Sequence, residues 1–294
     1  MSTLFFDLSD NLNLSAPVCE KIGATMGKLS MHYFPDGEVN IQLLSDCKDK
    51  TVVVLADLSH PNSKILPLLF VLRMIKEQSP KKVVLIAPYL PYMRQDAVFK
   101  EGESILARHF AEILSENLDA LITVDPHLHR FFSLDQVYPI RTYLAHTTSP
   151  IAQWIKTHIN EPVIVGPDSE SRQWVEAIAG EIKVPFLVAN KVRRGDKDVE
   201  ITVKGLEEFK DKTVVIVDDI VSTGHTILEI TKHLEDSGIN NIICIATHAI
   251  FNENAYGKLA HSHLSQIVSC NTIPHVSNAV DVSDSIAESF KLVK

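Results

Sequence analysis

The sequence of 294 residues lacks any hydrophobic run of membrane length and any excess of positive charge. Its longest apolar stretches, Ile65–Leu72 and Val83–Met93, are of core length, far from the 18 or more residues of a helical span. Lys and Arg number 28 against 37 Asp and Glu, a net charge of -9, which disfavours general attraction to nucleic acid or anionic lipid. Neither is expected as a partner. Cysteine is scarce: Cys19, Cys47, Cys244 and Cys270 make no CxxC pair and no dense disulfide framework, so they read as free thiols in a reducing compartment. The N-terminal MSTLFFDLSD has no basic segment and turns acidic at Asp7, unlike a signal peptide. A cytoplasmic location is the expectation.

What is present is an ordinary globular balance, 45% hydrophobic and 22% charged, in a length that suits two modest domains or one large one. Short β-branched runs alternate with helix-length segments. Thr51–Ala56, Lys82–Ala87, Ala120–Val124, Pro162–Val165, Thr213–Val217 and Asn241–Ala246 read as strands. Between them Ile65, Leu68, Leu69, Leu72 and Ile75, or Ile105, Phe110, Ile113 and Leu114, fall at helical spacing. This is the pattern of an α/β protein with mainly parallel sheets.

A repeat organises it. Asp49-Lys50-Thr51-Val52-Val53-Val54-Leu55 returns as Asp211-Lys212-Thr213-Val214-Val215-Ile216-Val217, each followed by a polar turn, a helix opening near Ile65 or Ile227, and another strand. Duplication of a βαβ-containing unit explains shared order and spacing better than chance. The halves divide in the polar stretch Tyr143–Pro150, giving domains 1–145 and 146–294. The tail Val282–Val293 reads as a weak amphipathic helix that packs on the N-terminal half or serves assembly.

The turns after the two copies differ. The first is Ala56-Asp57-Leu58-Ser59-His60-Pro61; the second is Asp218-Asp219-Ile220-Val221-Ser222-Thr223-Gly224-His225-Thr226. Only the second has the makings of a site. Free N–H groups at a helix start favour an anion, and Gly224 lets the backbone approach a phosphate. Hydroxyls at 222, 223 and 226 can donate to phosphate oxygens, while Asp218 and Asp219, at the strand end where open sheets bind ligands, can accept from sugar hydroxyls or hold a metal. The plain alternative is an Asp-rich helix cap. The string resembles the 5-phosphoribosyl-1-pyrophosphate (PRPP) loop shared by type I phosphoribosyltransferases and ribose-phosphate pyrophosphokinases.

Other segments separate those two families. Tyr33-Phe34-Pro35-Asp36-Gly37-Glu38 resembles the pyrophosphokinase segment that embraces adenine, with Phe34 as a stacking face and Asp36 and Glu38 as acceptors; taken alone it is a turn around Gly37. Pro88-Tyr89…Arg94-Gln95-Asp96 resembles the family's Arg-Gln-Asp segment, which implies ATP binding by Arg94, Gln95 and Asp96, against the alternative of an Arg94–Asp96 surface pair. Phe99–Ile105 is closer to archaeal-type members.

Asp125-Pro126-His127 stands where the family has Asp-Leu-His, which implies that His127 touches magnesium; His129 receives no role. Gly166-Pro167-Asp168-Ser169-Glu170-Ser171 replaces Ser-Pro-Asp-x-Gly-Gly, so Asp168 is a second metal contact or a helix cap, and the loss of two glycines is expected to reshape the approach of the ribose phosphate. Lys191-Val192-Arg193-Arg194-Gly195 resembles the catalytic flexible loop, with Lys191 and Arg193 in the catalytic role, and Cys270-Asn271-Thr272-Ile273-Pro274 matches a C-terminal family segment.

The resemblance, running from Phe34 to Pro274, implies two phosphoribosyltransferase-like (type I) domains and transfer of the β,γ-diphosphoryl group of ATP to the 1-hydroxyl of ribose 5-phosphate. It places the sugar phosphate on Asp218, Asp219, Ser222, Thr223, Gly224, His225 and Thr226, with Mg²⁺ as cofactor. A homo-oligomer sharing its adenine pocket between subunits is expected with it. Rival readings are a phosphoribosyltransferase, a non-catalytic regulatory subunit, and a pyrophosphokinase of shifted specificity suggested by Glu170, Ser171 and His225. Arg94, Lys100, Lys191, Arg193 and Arg194 are where an acidic protein handling anions is expected to concentrate its cations.

Overall fold

The computed structural model describes residues 2–193, 199–252 and 254–293, with the backbone alone for 191–193 and 199–201. The chain divides into two compact units, Met1–Ala145 with Val282–Lys294, and His146–Asp281.

The first unit opens with β1 (Thr3–Leu8), α1 (Leu12–Lys21), β2 (Thr25–Met26) and an antiparallel hairpin, β3 (Leu29–Tyr33) with β4 (Val39–Leu43). It continues through β5 (Thr51–Ala56), α2 (Ile65–Glu77), β6 (Lys82–Ala87), α3 (Leu106–Ser115), β7 (Ala120–Val124) and β8 (Arg141–Ala145). Six of these strands form an all-parallel sheet in the order β2-β1-β5-β6-β7-β8. Val52–Leu55 and Val83–Ala87 are fully buried. A strand covered on both faces has no exposed side to fill with polar residues, hence the unbroken β-branched runs. Against this sheet α2 buries Leu68, Val71, Leu72 and Ile75, and α3 buries Ala107, Phe110, Ala111 and Leu114, each a single apolar stripe.

The second unit runs α4 (Thr148–His158), β9 (Pro162–Gly166), α5 (Arg172–Ile182), β10 (Phe186–Val188) and a second antiparallel hairpin, β11 (Asn190–Arg193) with β12 (Val199–Thr202). Then come β13 (Thr213–Val221), α6 (His225–Asp236), β14 (Asn241–Ala249), α7 (Ala255–Ala260), β15 (Leu264–Cys270) and β16 (Asn278–Val280). Its sheet, again all parallel, is ordered β10-β9-β13-β14-β15-β16. The last helix, α8 (Ser283–Lys291), returns to the first unit. There Lys21 on α1 bonds Ser283 at 2.9 Å and Asp284 at 2.6 Å, and Ser289 Oγ donates to the Leu144 carbonyl at 2.9 Å.

The two sheets are topological copies. Matching β2, β1, β5, β6, β7 and β8 to β10, β9, β13, β14, β15 and β16 preserves order and direction, and the repeated Asp-Lys-Thr-Val string leads into β5 and β13 alike. One difference bears on function. Where the sequence predicts a strand ending at Val217, β13 continues through both acids, because Ile220 and Val221 stay in register with His248 and Ala249 of β14. The ladder outlasts the apolar pattern. Helix α6 likewise opens at His225, ahead of the expected Ile227.

Candidate active site

At the carboxyl end of β13 the chain turns through Ser222 and Thr223 to Gly224, which caps α6 with φ +73°. A side chain there would be strained, and its Cβ would meet Leu259 of α7 at 3.1 Å. Thr223 and His225 are exposed; Ser222 and Thr226 are half-buried. Among the described residues, the Thr223 and Thr226 hydroxyls have no protein hydrogen-bond partner. The first N–H groups of a helix also lack intrahelical acceptors. Donors thus converge here with nothing of the protein's own to bind, as an anion site requires.

Beneath this loop lie three carboxylates. Asp219 N–H donates to Asp218 Oδ1 at 3.0 Å, and Ile220 N–H to Asp219 Oδ1 at 2.7 Å. On the neighbouring turn after β9, Asp168 Oδ1 accepts from the N–H groups of Glu170 (3.1 Å) and Ser171 (3.0 Å), closing the turn that precedes α5. Burial pushes the Asp218 carboxyl well above the usual range, and the negative charges of Asp219 and Asp168 push it further. That donor set fits magnesium: it is all oxygen, and it carries negative charge that a hard divalent cation would relieve.

The lost glycine pair has a local explanation. Ser171 is fully buried, its hydroxyl donating to the Asp168 carbonyl at 2.5 Å, and a Cβ at Gly166 would collide with that hydroxyl. None of residues 166–171 has a positive φ. The turn therefore needs glycine at 166 for space, and not at 170 or 171 for conformation. Glu170 is exposed. Lys191 and Arg193 sit on β11, in register with Ile201 and Val199 of β12; Arg194 and Gly195 lie outside the described residues.

In the first unit, Phe34, Asp36 and Glu38 are exposed at the tip of the β3–β4 hairpin. The turn is closed by Phe34 N–H to the Glu38 carbonyl (2.8 Å) and Glu38 N–H to Asp36 Oδ1 (3.2 Å). Phe34 borders a groove of about 430 Å³ whose opposite wall is Phe70, Arg73 and Met74 of α2. Arg94 and Gln95 are exposed, whereas Asp96 is buried. Asp96 does not pair with Arg94: its Oδ1 accepts from Arg130 at 2.7 Å, and its Oδ2 has no partner. Arg130 also lies 5.2 Å from the ring centre of Phe99. His127 and His129 are joined ring to ring, Nδ1 to Nε2 at 2.9 Å.

Sequence reasoning named His129 without giving it a role, and missed Arg130 and Asn252. Arg130 stands three residues from His127, but a loop pattern gives no contact information. Asn252 carried no motif at all, and it donates to Ser222 Oγ at 3.0 Å.

Comparison with known proteins separates the families that share the PRPP loop. Residues 3–117 match the family model for the N-terminal domain of ribose phosphate pyrophosphokinase, and residues 133–285 match the phosphoribosyl transferase domain. A curated ribose-phosphate pyrophosphokinase of Sulfurisphaera tokodaii is 31% identical, covering 90% of this chain and 92% of its own. The chain belongs to the ribose-phosphate pyrophosphokinase family. The Saccharolobus solfataricus member is 33% identical over 90% and 91% of the two chains, in keeping with archaeal-type membership. The crystal structure of phosphoribosylpyrophosphate synthetase from Mycobacterium smegmatis shares the fold, with a TM-score of 0.84 over 100% of this chain and 99% of that one at 22% identity.

Proposed function

We propose that the protein is a ribose-phosphate diphosphokinase, converting ATP and ribose 5-phosphate to AMP and PRPP. The observation that carries this is the loop after β13, three hydroxyls and a helix start beside paired carboxylates, in a chain whose residues 3–117 match the N-terminal domain of ribose phosphate pyrophosphokinase. The 5-phosphate takes the donors of Ser222–Thr226, and Asp218 and Asp219 accept from the ribose hydroxyls. The 1-hydroxyl oxygen attacks the β-phosphorus of ATP, the bond from that phosphorus to the α,β-bridging oxygen breaks, AMP leaves, and the hydroxyl proton passes to solvent. Such a transfer is mainly a matter of positioning and charge neutralisation. Lys191 and Arg193 supply positive charge where it develops on the transferring group.

On the ATP side, Phe34 stacks on adenine, Asp36 and Glu38 accept from its amine, and Arg94 and Gln95 bind the nucleotide. Asp96 serves from behind: buried against Arg130, it fixes the loop that presents them. Magnesium would be held by Asp168 and Asp219, carboxylates of the second unit, and would neutralise phosphate charge. We assign the protein to the cytoplasm, consistent with four free, buried cysteines, and to a homo-oligomer whose adenine pocket is completed by a second subunit, consistent with the exposure of Phe34.

The test is incubation with ATP, Mg²⁺ and ribose 5-phosphate while AMP and PRPP are measured together. Equal amounts of both are expected. ADP in place of AMP would rule out diphosphoryl transfer, and no product would return the regulatory-subunit reading.

A further inference from the structure

Beyond β14 the chain folds back on the loop that ends β13. The N–H groups of Ile250 and Phe251 donate to the Val221 carbonyl at 3.1 and 3.0 Å, and that of Asn252 to the Ser222 carbonyl at 3.0 Å. The turn is held in an unusual conformation: Phe251 has φ +37°, rare for a bulky residue. Its ring lies 4.7 Å from that of His275 and 5.5 Å from that of Tyr256. A strained backbone persists where its surroundings over-determine it. From this fixed point the Asn252 side chain reaches Ser222, Nδ2 donating to Oγ at 3.0 Å.

A serine hydroxyl has one proton and two lone pairs. An amide N–H cannot accept, so with Asn252 donating into one lone pair the Ser222 proton must point elsewhere. Among the described residues no other side chain bonds that hydroxyl. Phosphate oxygens are acceptors, so a hydroxyl serves them only as a donor.

We propose that Asn252 is a positioning residue for ribose 5-phosphate: its amide commits the Ser222 hydroxyl to donating into the 5-phosphate. This rests on the assignment of Ser222–Thr226 as the phosphate loop. It also makes opposite demands on two substitutions. Asn252→Ala frees the hydroxyl to rotate. Asn252→Asp gives it a carboxylate acceptor, turning its proton away from the ligand and adding a repelling charge. Both leave the backbone bonds of residues 250–252 in place, so the loop itself is expected to persist.

The experiment measures KM for each substrate and kcat in the wild type, Asn252→Ala, Asn252→Asp, Ser222→Ala, and the Ser222→Ala/Asn252→Ala double variant. Asn252→Ala is expected to raise KM for ribose 5-phosphate by about 3- to 10-fold, the scale of one hydrogen bond, with Asn252→Asp higher still and KM for ATP unchanged. The double variant should be no worse than Ser222→Ala, because both changes remove one interaction. Unchanged KM for ribose 5-phosphate in both Asn252 variants, or effects that simply add in the double variant, overturns the inference. A general loss of folding would lower the apparent kcat of Asn252→Asp and Asn252→Ala and leave both KM values in place. Wild-type protein that makes no AMP and PRPP sinks the functional reading and this inference with it; active wild type with indifferent variants sinks only the inference.

Discussion

The loops after β5 and after β13 descend from the same position in a duplicated sheet, and they dispose of their charges in opposite ways. After β5, Asp57 is buried and accepts from Ser59 N–H and Ser59 Oγ, both at 2.8 Å, and from Lys64. Lys64 also bonds Ser59 Oγ at 3.2 Å. Acid, hydroxyl and cation close on one another, leaving nothing for a ligand to satisfy. After β13 there are two acids and three hydroxyls, and among the described residues the Thr223 and Thr226 hydroxyls have no protein hydrogen-bond partner. The loop whose threonine hydroxyls are left unused is the one suited to bind substrate. A binding site is recognised here by incomplete satisfaction, and the same topology can be retired by supplying a lysine.

The hairpins extend the comparison, since β3–β4 and β11–β12 occupy equivalent places in the chain order of the two units. One carries the acceptors proposed for adenine at its tip, and the other carries Lys191 and Arg193 on its first strand. The sharpest way to break that division is Lys191→Ala. Turnover should fall by about 10²–10³, the cost of losing one preorganised charge partner of the transition state, with KM for ribose 5-phosphate within about two-fold. Steady-state kinetics decide it: near-normal kcat would leave the second hairpin without its catalytic role.

The retired loop should respond in stability rather than in rate. Removing one member of a buried pair strands the other, although Lys64 keeps a side-chain exposure of 36% and stays partly solvated. Asp57→Ala is therefore expected to destabilise the fold by about 1–3 kcal/mol, read from urea unfolding, with both KM values unchanged. A raised KM for either substrate would mean that this loop still binds something.

Much of this contrast was legible beforehand. The repeat pointed to equivalent strands, the apolar strands Thr51–Ala56, Lys82–Ala87 and Ala120–Val124 fall at their predicted limits, and the difference in turn chemistry stood out in the residue types alone. Strands β3, β4, β11 and β12 were not legible as strands. In β3 and β4, residues alternate between half-buried and exposed with no fully buried position, so they lack the apolar run by which the central strands announce themselves. Nor could sequence place Asp96 on Arg130 or Asn252 on Ser222. These are contacts across 34 and 30 residues, made by polar side chains whose spacing follows no period.

A smaller effect is expected at the first hairpin. Phe34→Ala should raise KM for ATP by about 3- to 10-fold, the scale of an aromatic stacking contact, and leave KM for ribose 5-phosphate alone. If KM for ribose 5-phosphate moved instead, the assignment of the first hairpin to adenine would fall.

The subtlest consequence lies in the crowding of carboxylates at the second loop. With its carboxyl raised by burial, by Asp219 and by Asp168, Asp218 keeps its proton in the folded, metal-free protein at pH values where the unfolded chain has released it. The folded state then binds more protons, so the contribution of Asp218 is fully present below the ordinary carboxylate pKa and is lost as pH rises through its elevated folded value. Asn at this position is neutral throughout. The thermal midpoint of Asp218→Asn should therefore gain on wild type as pH rises from about 4 towards 8. Mg²⁺ should narrow the gap by doing for Asp218 what Lys64 does for Asp57. Parallel curves with and without the ion would mean that the ion does not act on Asp218, and the distinction between the two halves would have to be sought in their hairpins alone.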